Sequence, residues 1–344
     1  MRPQVQGVVA EQIEVAIGEI ETVPGTVRHL RQLAAEHPEV FFKAAARYLE
    51  SAPPSASART LADIVARQDS IFDHLLDPRL CSTKAAVAIF RRLLVVDPTL
   101  DFRLARMLPG RNESSPAKAQ TAKTLAGSHA ARALEILDLT SPGQRLLSVI
   151  GHLPNSADAR ISAKAALFVG RRVSNPAWLE KQLVREDARV RASAIESVWG
   201  AKSEAAIRIL EECCTDPNNR VAGNALIGLH MAGCPDVNIR AIGMSLADDP
   251  GRRSAAAWVM GKIGSPDFVD CLTSLIRDAD PRVRSTAVRS LAEIRRTETK
   301  RIEIEAERVK TETKPEIVTV VEPAAEPAAE PETFNIRVPT FQRL

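Results

Sequence analysis

Aromatic side chains are scarce in this sequence: three Trp, one Tyr and nine Phe make up 4% of 344 residues. Strands draw on aromatic and β-branched residues, so a large aromatic-rich β-sandwich is disfavoured and Ala- and Leu-rich helical packing is favoured. An excess of one charge is also missing. Lys and Arg number 46 against 43 Asp and Glu, and the net charge of +3 is too small to mark a dedicated nucleic-acid binder. No window approaches the roughly 18 apolar residues that a membrane-spanning helix needs. The apolar residues of the N-terminal stretch are interrupted by Glu11, Gln12, Glu14 and Glu19, so no signal peptide is read there and a cytoplasmic chain is expected.

The motifs of catalysis and metal binding are lacking as well. The five cysteines (Cys81, Cys213, Cys214, Cys234 and Cys271) are odd in number and form no CxxC pair. Adjacent Cys213 and Cys214 suit neither an ordinary disulfide nor a zinc knuckle, so free thiols in a reducing compartment are expected. None of the six histidines (His29, His37, His74, His129, His152 and His230) precedes a Glu, so there is no HExxH. GxGxxG, GxxxxGK and GxSxG are absent too. The reading from these residues is no catalytic residue, no cofactor and no metal.

What is present falls into three regions. Residues 1–152 read as helical but irregular, compatible with degenerate repeats. Apolar residues recur at three- and four-residue steps in Val27-Leu30-Leu33-Ala34 and through Phe41-Ala44-Ala45-Tyr48-Leu49, and turn formers gather from Pro109 to Pro116. Residues 153–294 carry an internal repeat. Five segments align from Asp158, Asp187, Asp216, Asp249 and Asp280, with spacings of 29, 29, 33 and 31 residues. Counting the Asp as zero, position four holds Ser162, Arg191, Arg220, Arg253 and Arg284. Position seven holds Ala165, Ala194, Gly223, Ala256 and Ala287, and position eleven holds Val169, Val198, Ile227, Met260 and Leu291.

Each column has a physical reason. An Asp just before a helix caps its free N–H groups, and Pro suits the first helical position. Positions seven and eleven lie one turn apart on one face, and a tiny residue at seven lets a neighbouring helix come close. Arg at four can reach an Asp of its own or the next repeat, which predicts a ladder of ion pairs. Between these helices lie others, such as the one in SEAAIRILEECC, with apolar residues at i, i+3, i+4 and i+7. Two short helices per ~30 residues, stacked through a shared apolar face, predict an all-α fold: an α-solenoid, a curved right-handed superhelical stack of antiparallel helix pairs.

The Asp-Pro-x-Val-Arg-x-x-Ala pattern, complete in Asp280 to Ala287, resembles HEAT repeats, above all the short type of the phycobilisome-lyase group. Asp158 and Asp187 lack the Pro, Ser162 replaces the Arg, and Asn219 and Arg252 replace the Val. The resemblance covers about 140 residues. It implies that the second, motif-bearing helix of each pair lines a concave surface. It also brings three functions into view. One is a non-catalytic scaffold that binds a protein partner along that surface. A second is nucleic-acid binding, as in HEAT-like alkylpurine glycosylases, through Arg160, Arg189 and Arg282 at position two and the Arg residues at position four. The third is a bilin-lyase-like enzyme, for which one Tyr and three Trp (Trp178, Trp199, Trp258) give little aromatic lining. The HEAT-like di-iron hydroxylase of the deoxyhypusine type builds its metal site from His-Glu pairs, which this chain does not have.

The expectation is therefore a protein-binding scaffold. Its partner-binding residues are taken from positions two, six and nine: Arg160, Lys164, Arg189, Glu196, Trp258, Arg282 and Arg289. The third region, residues 295–344, is rich in charge and then in Glu-Pro-Ala-Ala; Thr297 to Lys314 could prolong the last helix or be disordered, and a mostly disordered tail is expected. Its end, Phe334 to Leu344, regains apolar character and suits a docking peptide.

Overall fold

The computed structural model describes residues 3–110, 124–173 and 175–312. Among them are eighteen α-helices and no strands. They are α1 (Pro3–Gly18), α2 (Thr26–Glu36), α3 (Pro38–Ser51), α4 (Ala56–Ala66), α5 (Ile71–Leu76), α6 (Thr83–Val96), α7 (Leu100–Arg106), α8 (Gly127–Thr140), α9 (Leu147–Ile150), α10 (Ala159–Val173), α11 (Pro176–Leu183), α12 (Ala188–Ser197), α13 (Glu204–Cys213), α14 (Asn219–Ala232), α15 (Val237–Ser245), α16 (Pro250–Ile263), α17 (Val269–Leu275) and α18 (Pro281–Glu312). Residues 1–295 form one compact unit and residues 296–344 a second.

In the first unit the helices stack as the repeat pattern requires. α4, α6, α8, α10, α12, α14 and α16 each pack on the next of that series, and α11, α13 and α15 pack back on α12, α14 and α16. The row runs without a break past residues 152 and 153. This is the α-solenoid of antiparallel helix pairs. Ala165, Ala194, Ala256 and Ala287 are fully buried, so the position of the tiny residue is where helices meet. At Gly261 the approach is closer still. A Cβ there would lie 2.5 Å from Ser290 Oγ and 2.9 Å from the Ser290 Cα, so only Gly lets α16 and α18 sit together.

Capping fixes where the motif helices start. Asp158, Asp187, Asp249 and Asp280 accept from the N–H groups of Arg160, Arg189, Gly251 and Arg282 at 2.8, 2.7, 3.1 and 2.7 Å. The third repeat departs from the expected alignment. Its cap is Asn218, which accepts from Arg220 N at 3.1 Å, whereas Asp216 lies two residues earlier in the turn and accepts from Asn218 N at 2.7 Å. With Asn218 as zero the repeat starts are 29, 31, 31 and 31 residues apart. Position three becomes Val221 and position seven Ala225, both fully buried. Arg220 moves from position four to position two.

The ion-pair ladder is real but its acidic partner is not the cap. Arg191 bonds Asp216 (Nε to Oδ2, 3.0 Å) and Arg253 bonds Asp278 (2.7 Å). In each case the Asp sits two residues before the next cap. Each of these guanidiniums also donates to two carbonyls of its own turn, Arg185 and Glu186 for Arg191, Ala247 and Asp248 for Arg253. Arg284 makes the same carbonyl bonds, to Asp278 and Ala279, both at 2.8 Å. The ladder therefore stitches each turn to its own helix and, on two rungs, to the following repeat.

The buried apolar residues separate into a cluster from Val9 to Val169, a cluster from Leu179 to Ile294, and a small one of Ala163, Ala166 and Val190. Partly buried Trp178 packs against all three. Just before this seam Arg172 is buried. It pairs with Asp138 at 2.7 Å, donates to the Ser141 carbonyl at 2.7 Å, and lies 3.5 Å from the Phe168 ring centroid. All five cysteines are free.

Of the second unit, residues 296–312 are described, and they are helical. The sequence predicts mostly disorder from Thr297 onward. Ile302 and Ile304 are exposed there, and Glu, Lys, Arg and Ala, strong helix formers, carry the helix without burial. Residues 313–344, including the expected docking peptide from Phe334 to Leu344, lie outside the described residues.

Candidate partner-binding groove

A groove of about 930 Å³ crosses α12, α14, α16 and α18, on the face of the motif helices. Its shape follows from the repeat. α16 and α18 put short side chains there, among them Gly251, Ser254, Ala255 and Ser290, and so leave a hollow between the longer residues. The floor is polar and largely bonded within the chain, although the buried Asn219 Oδ1 has no partner. Asn224 is buried and donates to the Ala192 carbonyl at 2.9 Å, while its own carbonyl accepts from Trp199 Nε1 at 2.8 Å. Ser254 and Thr286 hydroxyls meet at 3.1 Å. These bonds hold the floor without using the groove's upper residues.

Trp258 lines the groove from α16, partly buried against the second apolar cluster. Its ring reaches over Gly223 of α14, where a Cβ would lie 3.6 Å from Cζ3. Its indole Nε1 takes part in none of the hydrogen bonds of the described residues, unlike that of Trp199. Around it stand Arg220, Lys262 and Arg289, all exposed. Arg289 makes only contacts of 3.4 Å within its own helix. Two carboxylates also line the groove. Glu196 is 3.5 Å from Arg171, and Glu293 is itself engaged.

Of the seven residues singled out from the sequence, Glu196, Trp258 and Arg289 line this groove. Arg160, Arg189 and Arg282 are exposed in the first turns of α10, α12 and α18, outside its lining, and Lys164 is tied to Glu135 at 2.9 Å on the α8 side. Position nine does not face outward throughout, because Leu167 and, in the corrected alignment, Ile227 are buried. Sequence reasoning missed Arg220, Lys262 and the polar floor. Arg220 was hidden by the two-residue shift of the third repeat. Lys262 lies outside the repeat columns from which the candidate residues were taken.

A second cleft, of about 850 Å³, lies between α4 and α6, with Arg59, Arg91, Arg92 and Val95 among its lining. Elsewhere the ionisable groups show structural roles. Burial pushes the Cys213 thiol up to about 11 and lowers the pKa of His74. Asp77 is pulled down to about 2, chiefly by the Arg79 guanidinium. Among the described residues no group of three or more His, Cys, Asp or Glu is placed to hold a metal ion, and no helix is long and apolar enough to cross a membrane.

Residues 242–318, spanning α16, α17 and α18, match the family model of HEAT repeats. No curated protein matches the chain. Among solved structures, that of human deoxyhypusine hydroxylase in complex with glycerol is similar at 14% identity, covering 86% of this chain and 100% of that chain with a TM-score of 0.32. A likeness so remote says nothing of this chain's chemistry.

Proposed function

We propose that this HEAT-like repeat protein is a non-catalytic scaffold that binds a protein partner in the groove across α12, α14, α16 and α18. The observation that supports it is Trp258, a large amphipathic ring on a rigid helix with its N–H uncommitted, among cations that the fold does not consume. Partly buried Trp and Arg are the residue types that most often dominate binding energy at protein interfaces. A stacked repeat supplies a long shallow surface for such an anchor and holds it on packed helices.

The test is a photo-crosslinking amino acid placed at Ala255, in the groove, and separately at Arg208, exposed on α13. A protein adduct formed from position 255, absent from position 208 and lost when Trp258→Ala is added, is the expected result. Equal adducts at both positions would discard the groove.

A second reading is favoured by one observation. Arg160, Arg189, Arg220 and Arg282 sit exposed in equivalent first turns, and their side chains make no ion pair among the described residues. Such a row suits a phosphate backbone. It predicts a salt-sensitive gel shift that weakens when Arg160, Arg189 and Arg282 are removed.

A further inference from the structure

We infer that the groove recognises an acidic linear segment: an extended peptide that sets carboxylates against Arg220, Lys262 and Arg289 and an apolar side chain on Trp258. This rests on the reading of the groove as a protein-binding site and adds the chemistry of its occupant.

The charge that remains to be satisfied in the groove is of one sign. Five ionisable residues line it, Glu196, Arg220, Lys262, Arg289 and Glu293. Both carboxylates are already engaged, Glu196 with Arg171 at 3.5 Å and Glu293 within the chain. The side chains of Arg220 and Lys262 make no hydrogen bond or ion pair among the described residues. Arg289 makes only its two weak contacts within α18. A ligand entering the groove therefore meets Arg220 and Lys262 without a partner among the described residues, and Arg289 bonded only to neutral oxygens, so that its charge is not offset.

Helix stability does not explain why Arg220 stands where it does. It lies in the first turn of α14, and Arg189 and Arg282 occupy the same repeat position on α12 and α18. The dipole at a helix N-terminus works against a cation; at α12 and α18 the capping carboxylates of Asp187 and Asp280 offset it, whereas α14 is capped by the neutral Asn218. At α14 the cap is uncharged and Asp216 in the preceding turn is already paired with Arg191, so Arg220 keeps its charge beside the groove.

The same geometry favours a peptide over a nucleic acid. A phosphate backbone carries its charges at a fixed short repeat and would pass Glu196 and Glu293 as well as the cations. The Arg row is also interrupted on α16, where Gly251 holds the equivalent position. A peptide can place its carboxylates selectively and offer an apolar residue to the indole ring, whose N–H is free for a peptide carbonyl.

The experiment is selection of a random peptide library, displayed on phage, against the full chain. Individual peptides are then measured by fluorescence anisotropy on the full chain and on two full-length variants. One is Trp258→Ala; the other combines Arg220→Glu, Lys262→Glu and Arg289→Glu, all at exposed positions, with melting curves of each variant as a folding control. The expected peptides are rich in Asp and Glu around one large apolar residue. Their affinity falls about tenfold or more in the triple variant and on raising salt from about 0.05 to 0.5 M, as charge-steered recognition requires. Neutral or basic peptides that depend on Trp258 would overturn the acidic assignment and leave the groove as a protein site. Peptides indifferent to both variants, or none at all, would overturn that reading as well. A single-stranded 20-mer oligonucleotide that binds more tightly than the best acidic peptide, and is lost in the triple variant, would replace the peptide with a nucleic acid.

Discussion

Ala222 and Ala247 occupy the two ends of a missing rung. They are 25 residues apart, the separation of Arg191 from Asp216 and of Arg253 from Asp278, and they take the same repeat positions. The cation and the anion are thus absent together. A lone Arg at position four of α14 would be a partly desolvated charge without its partner, and a lone Asp at 247 the converse. The repeat keeps the pair or drops the pair.

Ala222→Arg is accordingly expected to destabilise the protein by about 2–4 kcal/mol, since Ala222 is fully buried and the new charge is unpaired. Adding Ala247→Asp recovers about 1–2 kcal/mol of that loss. Urea unfolding of the single and double variants measures the coupling. Purely additive effects would show that the equivalent positions do not form a rung.

Asp278 gives the ladder a pH signature. Its pKa is held below the ordinary carboxylate range, first by the hydrogen bond from Arg253. The unfolded chain therefore takes up this proton before the folded one. The stabilisation is complete above the ordinary Asp value and is lost as pH falls through the depressed one. Thermal melts of Asp278→Asn are expected to start lower at neutral pH and to decline less steeply than the parent between about pH 5 and pH 3. Parallel declines would remove the ladder from the acid response.

Gly261→Ala is expected to cost about 1–3 kcal/mol, because its Cβ would press on the backbone of Ser290 and force α16 from α18. Adding Ser290→Gly, which clears the side-chain part of the clash, recovers some of that. Calorimetric melts of the two variants decide it, and an unchanged Gly261→Ala protein would mean the helices yield freely.

Cys213, pushed up to about 11 by burial with the Asp216 carboxylate second, is a thiol and not a thiolate at neutral pH. Iodoacetamide is expected to label it much more slowly than a free cysteine at about pH 7.5, with the rate rising as the solution approaches its pKa. Peptide mass spectrometry reads this directly. Labelling at the free-cysteine rate would show that the site opens.

The repeat was legible because its columns are dictated by local rules: an acidic cap, a tiny residue at the contact, an apolar residue one turn on. The third repeat was misaligned for an equally local reason. Asp216-Pro217 imitates the cap of its neighbours, and only the hydrogen bond of Asn218 to Arg220 N shows where the helix begins. Residues 297–312 left two readings open, a prolonged last helix or disorder, because they have helix-forming charges but no apolar face; the structure continues α18 to Glu312. The groove was only partly legible. Trp258 stood out as an aromatic at a variable position. The lining brings together four helices whose starts are 31 residues apart, with Arg220 and Lys262 beside an indole ring that no single helix reveals.

Trp178 marks a splice, not a gap. Its indole packs against the apolar mass of α1 to α10 on one side and of α11 to α18 on the other. Beside it Ala163, Ala166 and Val190 bury the contact of α10 with α12, and Arg171 reaches across to Glu196. The two apolar masses are thus sewn together by a pair of closely packed helices. Strain set up in either one has a packed route into its neighbour, so the groove shares the mechanical fate of the whole row.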